Sequence, residues 1–331
     1  MSATLGLLPA RPGRFAAAVK RQGALIALAV LVIFGTLRYG ERFATGYNVQ
    51  SVLADDAKYA LVALGMSFVI MTGGIDLSVG SVAALGGVVA ASLSGAGLLP
   101  AMAAAVAVGA AAGLVNGVLI ARYRLAPFLV TLATMLSVRG LALHLSGAAS
   151  VLAAPHGTFT AFGTWSLLGV PVPFWIALAL FGAGALALHR TGFGRNVLAT
   201  GGNEDAARLM GLPVDRTKAA VYVLSGALSG AAGAFLGAQT SSVDTAAGQG
   251  WELSAIAAVV VGGTLLTGGV GTVFGTLVGV VLLQLIFNMI VFENSRGELT
   301  ISSYWESVIR GAFLLGVVLL QVRLTRRRRA G

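Results

Sequence analysis

A series of apolar runs, each close to the length that crosses a lipid bilayer as an α-helix, constrains this chain more than any other feature. Such a helix needs about 20 predominantly apolar residues, with roughly 17 to 25 allowed. The candidate spans are residues 23–39, 57–73, 76–95, 99–121, 126–146, 172–189, 218–238, 252–267, 270–292 and 304–322. Several of them are short, which favours tilted or broken helices. The pattern predicts an all-α, polytopic membrane protein with about ten transmembrane helices.

The composition excludes most other classes of protein. Of the 331 residues, 57% are hydrophobic and only 10% are charged, whereas a soluble domain carries about 25% charged residues. An ordinary soluble enzyme, a disordered protein and a basic nucleic-acid-binding domain are therefore excluded. There is no cysteine, and the three histidines lie far apart in the sequence. We therefore expect no metal site, no catalytic residues and no cofactor bound by this chain.

The distribution of lysine and arginine predicts an orientation, because cytoplasmic loops of membrane proteins collect these residues. Most of the basic residues lie within residues 11–21, 122–124, 189–218 and 323–329. The segments 147–171 and 239–251 contain none. Ten crossings with a cytoplasmic N-terminus place every basic cluster inside and both basic-free segments outside. Eight crossings with one re-entrant hairpin also keep both termini in the cytoplasm. The alternative interpretation of the basic clusters is a patch that binds polyanions.

The same pattern divides the chain into a membrane domain and two tails. The predicted parts are a cytoplasmic N-terminal tail (1–22), a transmembrane domain (23–322) with one long cytoplasmic segment (189–218), and a basic cytoplasmic tail (323–331). The first apolar run is followed by charged residues rather than by a small-residue cleavage site, so we interpret it as a retained span. The mixed polar stretch before the second span predicts a short helix on the outer surface, capped by Asn48.

Asp76 departs from the general distribution of carboxylates, because it lies between two apolar runs rather than in a loop. A carboxylate inside a membrane is costly and is by default a functional-site hypothesis. Gly73 and Gly74 precede it and allow a helix to break at this point. Asp76 can cap the following helix by accepting a hydrogen bond from the amide of Ser78 or Val79. Alternatively, it binds a ligand, carries a proton or couples parts of the protein.

A second glycine interruption resembles the first. Residues 265–276 (LLTGGVGTVFGT) share the TGG core and small-residue spacing of residues 69–81 (VIMTGGIDLSVGS), with Gly271 in the place of Asp76. Broken helices in corresponding halves of a chain indicate a transport path, although close crossing of helices through small residues explains the pattern equally well. No GxxxxGK[ST] pattern occurs in the chain, so we do not expect it to bind ATP.

Further polar groups occur in or near the spans. Arg139 lies within the fifth span, where it either extends its guanidinium to the bilayer surface or faces a cavity and binds a polar ligand. The uncharged polar groups are Asn116, Thr131, Thr134, Gln239, Gln284 and Asn288. Such groups join helices, and together they suit a wet path for a polyhydroxylated solute. The residues predicted to line a path are Thr72, Gly73, Gly74, Asp76, Ser78, Asn116, Thr131, Arg139, Gly268 and Gly269.

The long cytoplasmic segment 189–218 contains the pattern of a short amphipathic helix. Asn203 is a suitable N-cap, Glu204 places negative charge in the first turn, and Gly211 ends the helix. The apolar side consists of Ala206, Ala207, Leu209 and Met210. An apolar side outside the bilayer needs cover, which a cytoplasmic partner protein, the lipid surface or the chain's own spans would provide.

Long ordered stretches of the sequence strongly resemble the permease subunits of ribose-type ATP-binding-cassette (ABC) sugar importers. These stretches are residues 65–85 (GMSFVIMTGGIDLSVGSVAAL), 193–212 (FGRNVLATGGNEDAARLMGL) and 252–280 (ELSAIAAVVVGGTLLTGGVGTVFGTLVGV). The resemblance covers nearly the whole chain from about residue 47 onward. Residues 288–315 look like the ending of the second permease of the galactofuranose importer.

The resemblance implies a complex in the bacterial inner membrane. A second permease copy or a sister permease completes the membrane path, an ABC ATPase subunit binds ATP and Mg²⁺ on the cytoplasmic side, and a periplasmic binding protein delivers the monosaccharide. No nucleic acid is expected as a partner. The segment 201–212 resembles the part of the family that docks into the ATPase. The implied ATPase contacts are Gly202, Asn203, Glu204, Ala206, Ala207, Met210 and Gly211.

Two other functions remain open from the residues alone. An ion-coupled secondary transporter would use Asp76 to carry a proton or cation and would transport without an ATPase. A membrane scaffold would have no path, and polar substitutions along its spans would affect only stability. The amphipathic cytoplasmic helix, together with the lack of a nucleotide-binding motif, favours the importer permease.

Overall fold

The computed structural model describes residues 14–296 and separate helical positions between 305 and 319. The predicted span 304–322 falls largely outside the described residues, and the basic tail 323–331 falls wholly outside them. Within the described part, the α-helices are α1 (Arg14–Tyr39), α2 (Gly46–Met71), α3 (Val79–Leu93), α4 (Leu98–Arg122), α5 (Pro127–Leu145), α6 (Thr158–Thr164), α7 (Val172–Arg190), α8 (Gly192–Gly202), α9 (Glu204–Leu209), α10 (Val214–Thr240), α11 (Trp251–Val261) and α12 (Val273–Arg296). The strands are β1 (Val151–Leu152), β2 (Ser166–Leu167), β3 (Val170–Pro171) and β4 (Ser242–Val243).

The helices confirm an all-α, polytopic membrane protein. Seven helices of the described residues are long and apolar enough to cross a membrane, namely α1, α3, α4, α5, α7, α10 and α12. Helix α2 has 26 residues but includes Asp55, Asp56 and Lys58. Helix α11 has only 11 residues, which is well below the roughly 20 needed for a full span. The total of ten crossings stays a prediction.

The expectation of a separate surface helix before the second span is wrong. Helix α2 is continuous from Gly46, and its N-cap is Thr45, whose hydroxyl accepts a hydrogen bond from the amide of Asn48 at 3.2 Å. The side chain of Asn48 instead donates to the carbonyl oxygen of Phe43 at 2.8 Å and exchanges hydrogen bonds with Asn288 of α12. The polar residues therefore begin a long helix rather than forming an independent one.

Helix α10 lies at the centre of the bundle, where it packs against α2, α3 and α4. Small residues allow its backbone to approach α4 closely. A Cβ atom placed on Gly226 would lie 2.2 Å from the carbonyl oxygen of Gly109, and one on Gly113 would lie 2.2 Å from the carbonyl oxygen of Tyr222. Because lipid tails are as apolar as leucine, such close backbone packing is a main source of helix association in membranes. The high glycine content of the chain is explained in part by this crossing.

The two ends of the bundle differ in charge and structure. The end that we call the basic end carries Arg122 at the end of α4, Arg190 at the end of α7, and Lys218 near the start of α10. The opposite end, which we call the strand end, carries β1 to β4. Strand β1 pairs antiparallel with β4, with Val151 opposite Val243. The two segments without lysine or arginine therefore lie at the same end, as the charge pattern predicts.

Candidate functional site

Three glycine-rich segments meet at the basic end, in a contact that we call the glycine junction. It consists of the end of α2 at Met71 and Gly73, the end of α8 at Gly201, and the loop with Gly268 and Gly269. The amide of Gly269 donates a hydrogen bond to the carbonyl oxygen of Met71 at 2.9 Å. A Cβ atom on Gly201 would lie 1.8 Å from that same oxygen, and one on Gly268 would lie 2.8 Å from the amide nitrogen of Gly73. Only glycine fits at these backbone contacts.

The glycine junction joins both helix interruptions that the sequence pattern identifies. Gly73 and Gly268 have φ values of +82° and +81°, a left-handed region that residues with side chains rarely adopt. Helix α8 ends at this contact and is followed directly by Asn203 and α9. The segment that carries α9 therefore contacts the end of α2 and the loop between α11 and α12 at the same place.

Helix α9 is the amphipathic helix that residues 203–211 predict. The side-chain oxygen of Asn203 accepts a hydrogen bond from the amide of Ala206 at 2.9 Å. At the other end, Gly211 has a φ of +75°, and the amide of Leu212 donates to the carbonyl oxygen of Ala207 at 3.0 Å. Both ends of this short helix are thus satisfied by local hydrogen bonds.

Ion pairs hold α9 against the start of α10. Glu204 accepts hydrogen bonds from Lys218 and from Arg208, the latter at 3.0 Å. Arg208 also contacts Asp215 at 2.5 Å. Partial burial favours a higher pKa for Glu204, but the hydrogen bonds from Lys218 and Arg208 outweigh it and lower the pKa below its ordinary value. Glu204 is therefore ionised at neutral pH and positions α9.

The exposed face of α9 differs in part from the predicted contact set. Leu209 and Met210 are 89% and 69% exposed, whereas Ala207 is fully buried. Ala207 therefore faces this chain's own helices rather than a partner, which corrects the predicted contact at that position. Leu209 is absent from the predicted set although it belongs to the apolar pattern. The pattern gives the period of the helix but not which flank packs on α10.

Asp76 lies at the start of α3 and is 1% exposed. Its Oδ1 atom accepts hydrogen bonds from the amide of Ser78 at 3.0 Å and from the Ser78 hydroxyl at 2.6 Å. Its Oδ2 atom accepts a hydrogen bond from the hydroxyl of Ser225 on α10 at 2.8 Å. The predicted hydrogen bond from the amide of Ser78 is present. The N-cap of α3 is Ser78 itself, which has no side-chain cap bond, so the carboxyl group of Asp76 holds the turn before α3 and anchors it to the central helix.

The hydrogen bonds of Asp76 continue to two further helices. Asn116 of α4 donates to the Ser78 hydroxyl at 3.0 Å, and Thr134 of α5 donates to the side-chain oxygen of Asn116 at 2.6 Å. Thr131 of α5 lies 3.4 Å from the carbonyl oxygen of Ile75. We call this set, with Asp76 and Ser225, the Asp76 network. It joins α3, α4, α5 and α10 where α3 begins.

The Asp76 network lies inside the bundle rather than at its basic end. Ser225 is the twelfth residue of α10, which starts at Val214, so it lies about 16 Å along that helix. Helix α3 and the turn after it reach Ala96, 18 residues in all, which is close to the lower limit of roughly 17 for a span. The chain between Met71 and Ser78 therefore turns back into the bundle, and α3 begins there as a broken helix.

The predicted path residues separate into groups. Gly73, Gly268 and Gly269 belong to the glycine junction, whereas the Asp76 network contains Asp76, Ser78, Asn116 and Thr131. Thr72 donates to the carbonyl oxygen of Val69 at 2.7 Å and so completes its own helix end. Gly74 lies against the hydroxyl end of Tyr222, whose oxygen would be 2.4 Å from a Cβ atom on Gly74.

Arg139 belongs to neither group, because its guanidinium donates to the carbonyl oxygen of Ala247 at 2.7 Å. The side chain therefore contacts another segment of the protein. No group of histidine, aspartate or glutamate side chains in the described part of the chain is arranged to hold a metal ion.

Comparison with known proteins identifies the family of the chain. A family model described as "Branched-chain amino acid transport system / permease component" matches residues 48–318. The chain belongs to this family of permeases. The permease is 42% identical over 305 residues to the ribose import permease RbsC of Escherichia coli (strain K12), a match that covers 90% of this chain and 92% of that protein.

Two further relatives are of similar length. The L-arabinose ABC transporter permease AraH of Azospirillum brasilense is 40% identical over 315 residues, covering 94% of this chain and 90% of that protein. The ribose import permease RbsC of Bacillus subtilis (strain 168) is 38% identical over 310 residues, covering 92% and 94%. No solved structure matches the chain.

These matches confirm the predicted resemblance to ribose-type ABC permeases. The chain is a multi-pass permease subunit of the bacterial inner membrane, and ATP hydrolysis belongs to a partner subunit.

Proposed function

We propose that this permease imports a monosaccharide as the membrane subunit of a ribose-type ABC importer. The observation that carries the proposal is the glycine junction, in which the end of α8 contacts both interruptions of the transmembrane helices. Helix α9 is exposed and follows α8 directly. A movement of α9 is therefore suited to reach the glycine junction and, through it, the transmembrane helices. The sugar-import permeases among the relatives support the same function.

The ATPase docks on the exposed face of α9 at the basic end of the bundle. This placement makes the basic end cytoplasmic, in agreement with the usual excess of lysine and arginine in cytoplasmic loops. With ten crossings both termini lie in the cytoplasm, the domain 23–322 forms the membrane part, and residues 1–22 and 323–331 are tails. Leu209 and Met210 are the central contacts, and Gly202, Asn203 and Gly211 surround them.

The other partners follow from this orientation. A periplasmic binding protein delivers the sugar at the strand end, and a second copy of the permease or a sister permease completes the path. ATP and Mg²⁺ bind to the ATPase subunit, and this chain binds neither. When the ATPase pair closes on ATP, α9 moves and the glycine junction repositions both broken helices. Because only the ATPase cycle supplies energy, the permease alone does not concentrate sugar.

Ribose and arabinose are the first candidate substrates, because they are the sugars named for the relatives. Galactofuranose is a further candidate, supported by the likeness of residues 288–315 to a galactofuranose permease. The binding protein is expected to contribute much of the selectivity, so a panel of labelled sugars is required. The panel should include ribose, arabinose, galactose and xylose.

The experiment that tests the proposal is uptake by reconstituted vesicles. The permease is co-expressed with its candidate ATPase and sister permease, purified through a tag on this chain, and supplied with binding protein and labelled sugars. Uptake that needs both ATP and the ATPase is expected. Uptake by the permease alone under an ion gradient would instead support a secondary transporter that uses Asp76.

A further inference from the structure

Residues 244–250, which we call the re-entrant segment, run from the strand end into the bundle along α3. At its start, the side chain of Val243 would lie 3.2 Å from a Cβ atom on Gly87. At its other end, a Cβ atom on Gly80 would lie 2.1 Å from the carbonyl oxygen of Gly248. Gly87 and Gly80 are seven residues apart on α3, which is about 10 Å along the helix. The segment therefore descends by about that distance before α11 begins.

The backbone of the re-entrant segment is irregular, and part of it is exposed on the surface of this chain. The segment forms turns between β4 and α11, and Gly248 and Gly250 both have a φ of +75°. Ala246 and Gln249 are exposed. Irregular backbone at membrane depth is tolerated only where it is buried in protein or lines a water-filled cavity. Lipid is therefore excluded from this face.

Polar groups at this face favour a water-filled cavity over an apolar protein contact. Arg139 donates to the carbonyl oxygen of Ala247 and is attracted electrostatically by Glu252. Ionisable side chains at membrane depth typically face a bundle interior or a wet cavity. Among the described residues, nothing forms a hydrogen bond with the exposed side-chain amide of Gln249. Such an amide is costly in an apolar environment, so it needs water or a polar ligand.

A groove between α4 and α5 continues from this face toward the basic end. Its volume is about 550 Å³, within the range of roughly 300 to 1,000 Å³ that is usual for small-molecule sites. Ala112 and Val138 line the groove and also pack in the apolar cluster that includes Ala247. Thr134 and Ser137 provide hydroxyl groups in a groove whose other lining residues are apolar, as is usual for small-molecule sites. Thr134 donates to Asn116, so the groove adjoins the Asp76 network.

We propose that the re-entrant segment and the α4–α5 groove form this permease's wall of a water-filled sugar path. Gln249 and Arg139 supply hydrogen-bonding groups for the hydroxyls of a monosaccharide, and Thr134 links the occupied groove to the start of α3. This assignment rests on the proposed function, since a sugar path exists only if the chain imports sugar. The sequence patterns alone do not show which face of the bundle lines the path.

Cysteine labelling tests the assignment directly, because the full chain contains no cysteine. Gln249→Cys and Ala246→Cys place single thiols on the re-entrant segment. Ile33→Cys is the matched control, since Ile33 is 60% exposed on α1, a regular helix. The assembled complex in vesicles is treated with a charged, membrane-impermeant methanethiosulfonate. Labelling at positions 249 and 246 is expected, with ribose or arabinose slowing it, whereas position 33 stays unlabelled because lipid surrounds it.

Two results would overturn the assignment. The first is resistance of both segment positions to the charged reagent in complexes that still import sugar. The second is oxidative cross-linking of Gln249→Cys to a neighbouring permease without labelling, which would make this face a subunit interface. Absence of ATP-dependent uptake by the wild-type complex would contradict the proposed function instead, and the labelling pattern would still decide whether the face is wet.

A separate measurement covers the role of the Gln249 amide. Gln249→Ala is expected to raise the sugar concentration required for half-maximal uptake, because one hydrogen-bonding group for the sugar is lost. Ile33→Ala is the control and should leave that concentration unchanged. An unchanged half-maximal concentration in Gln249→Ala would contradict sugar contact at this position.

Discussion

The amide of Gly269 donates a hydrogen bond to the carbonyl oxygen of Met71, although Met71 ends α2 and Gly269 lies in the loop between α11 and α12. Gly201 packs on the same carbonyl oxygen from α8. The glycine junction thus joins both interruptions of the transmembrane helices to α8, the helix that leads to α9. A single movement at the basic end can therefore change both interruptions together.

Substitution of Gly269 tests this contact. Gly269→Ala would place a Cβ atom 2.7 Å from the Cα atom of Gly202, at a φ of +76°. Gly263→Ala is the matched control, because Gly263 has a φ of +93° but no atom within 4 Å of a Cβ position. Both alanines cost about 1–2 kcal/mol for a left-handed conformation, and only Gly269→Ala adds a backbone clash. We expect a larger fall in the melting temperature for Gly269→Ala; equal falls would contradict the contact.

Substitutions of Asp76 separate an anchor from a transported charge. Asp76→Asn keeps the shape and one acceptor oxygen, so the complex should still assemble and transport at a reduced rate. Asp76→Ala leaves the buried donors of Ser78 and Ser225 without an acceptor, which costs about 1–3 kcal/mol. Thermal unfolding of the purified permease should therefore rank the variants wild type, Asp76→Asn, Asp76→Ala. Ion-driven uptake by the wild-type permease that is lost in both variants would contradict the anchor.

The exposed face of α9 is tested by placing a positive charge on it. Leu209→Arg and Met210→Arg place a guanidinium where the ATPase is expected to cover an apolar side chain, so co-purification of the ATPase should be lost. Leu168→Arg is the matched control, because Leu168 is 87% exposed against 89% for Leu209 but lies at the strand end. Retention of the ATPase by both α9 variants would place the docking surface elsewhere.

The ion pairs of Glu204 give a pH dependence with a defined sign. The pKa of Glu204 is lowered in the folded chain, so its contribution is present above the ordinary value of about 4.3 and is lost as the pH falls through the lowered value. ATPase binding should therefore be constant between pH 6 and 8, roughly, and should weaken only below about pH 4. High salt should weaken it too, because these groups are partly exposed. Glu204→Gln should weaken binding at neutral pH.

A loss of ATPase binding between about pH 6 and 7 would contradict this role of Glu204, because a group with the ordinary pKa of histidine would then control docking. The control is Asp205→Asn. Asp205 is exposed in the same first turn, but it has no ion pair with any residue that the structure describes, so its substitution should leave the pH profile unchanged.

The sequence predicts the local structure well where short-range chemistry controls it. Asn203 and Gly211 define a short helix because a capping side chain and a left-handed glycine are local signals. The hydrogen bond from the amide of Ser78 to Asp76 is predictable for the same reason, although the N-cap of α3 is Ser78. The apolar runs predict nine of the described helices. Most of the predicted ends lie within a few residues of the observed helix ends, because burial in lipid imposes the length of each run.

Long-range contacts are what the sequence does not provide. The burial of Ala207 depends on how α9 lies on α10, and the apolar pattern is the same for either flank. Arg139 and Ala247 are more than a hundred residues apart, so their hydrogen bond is not predictable from either segment. The continuity of α2 was missed because its polar start suggests a surface helix, whereas Asn288 of α12 supplies the partner that holds it in place.

The most direct test of the account is the amount of sugar imported per ATP hydrolysed in Gly201→Ala, compared with Gly192→Ala. A Cβ atom on Gly201 would lie 1.8 Å from the carbonyl oxygen of Met71, whereas one on Gly192, at the start of the same helix, would meet only the side chain of Arg195 at an ordinary 3.8 Å. Both variants should bind the ATPase and hydrolyse ATP in vesicles. We predict that sugar import per ATP falls sharply in Gly201→Ala alone. Equal import per ATP in both variants would show that the glycine junction does not couple ATP hydrolysis to transport.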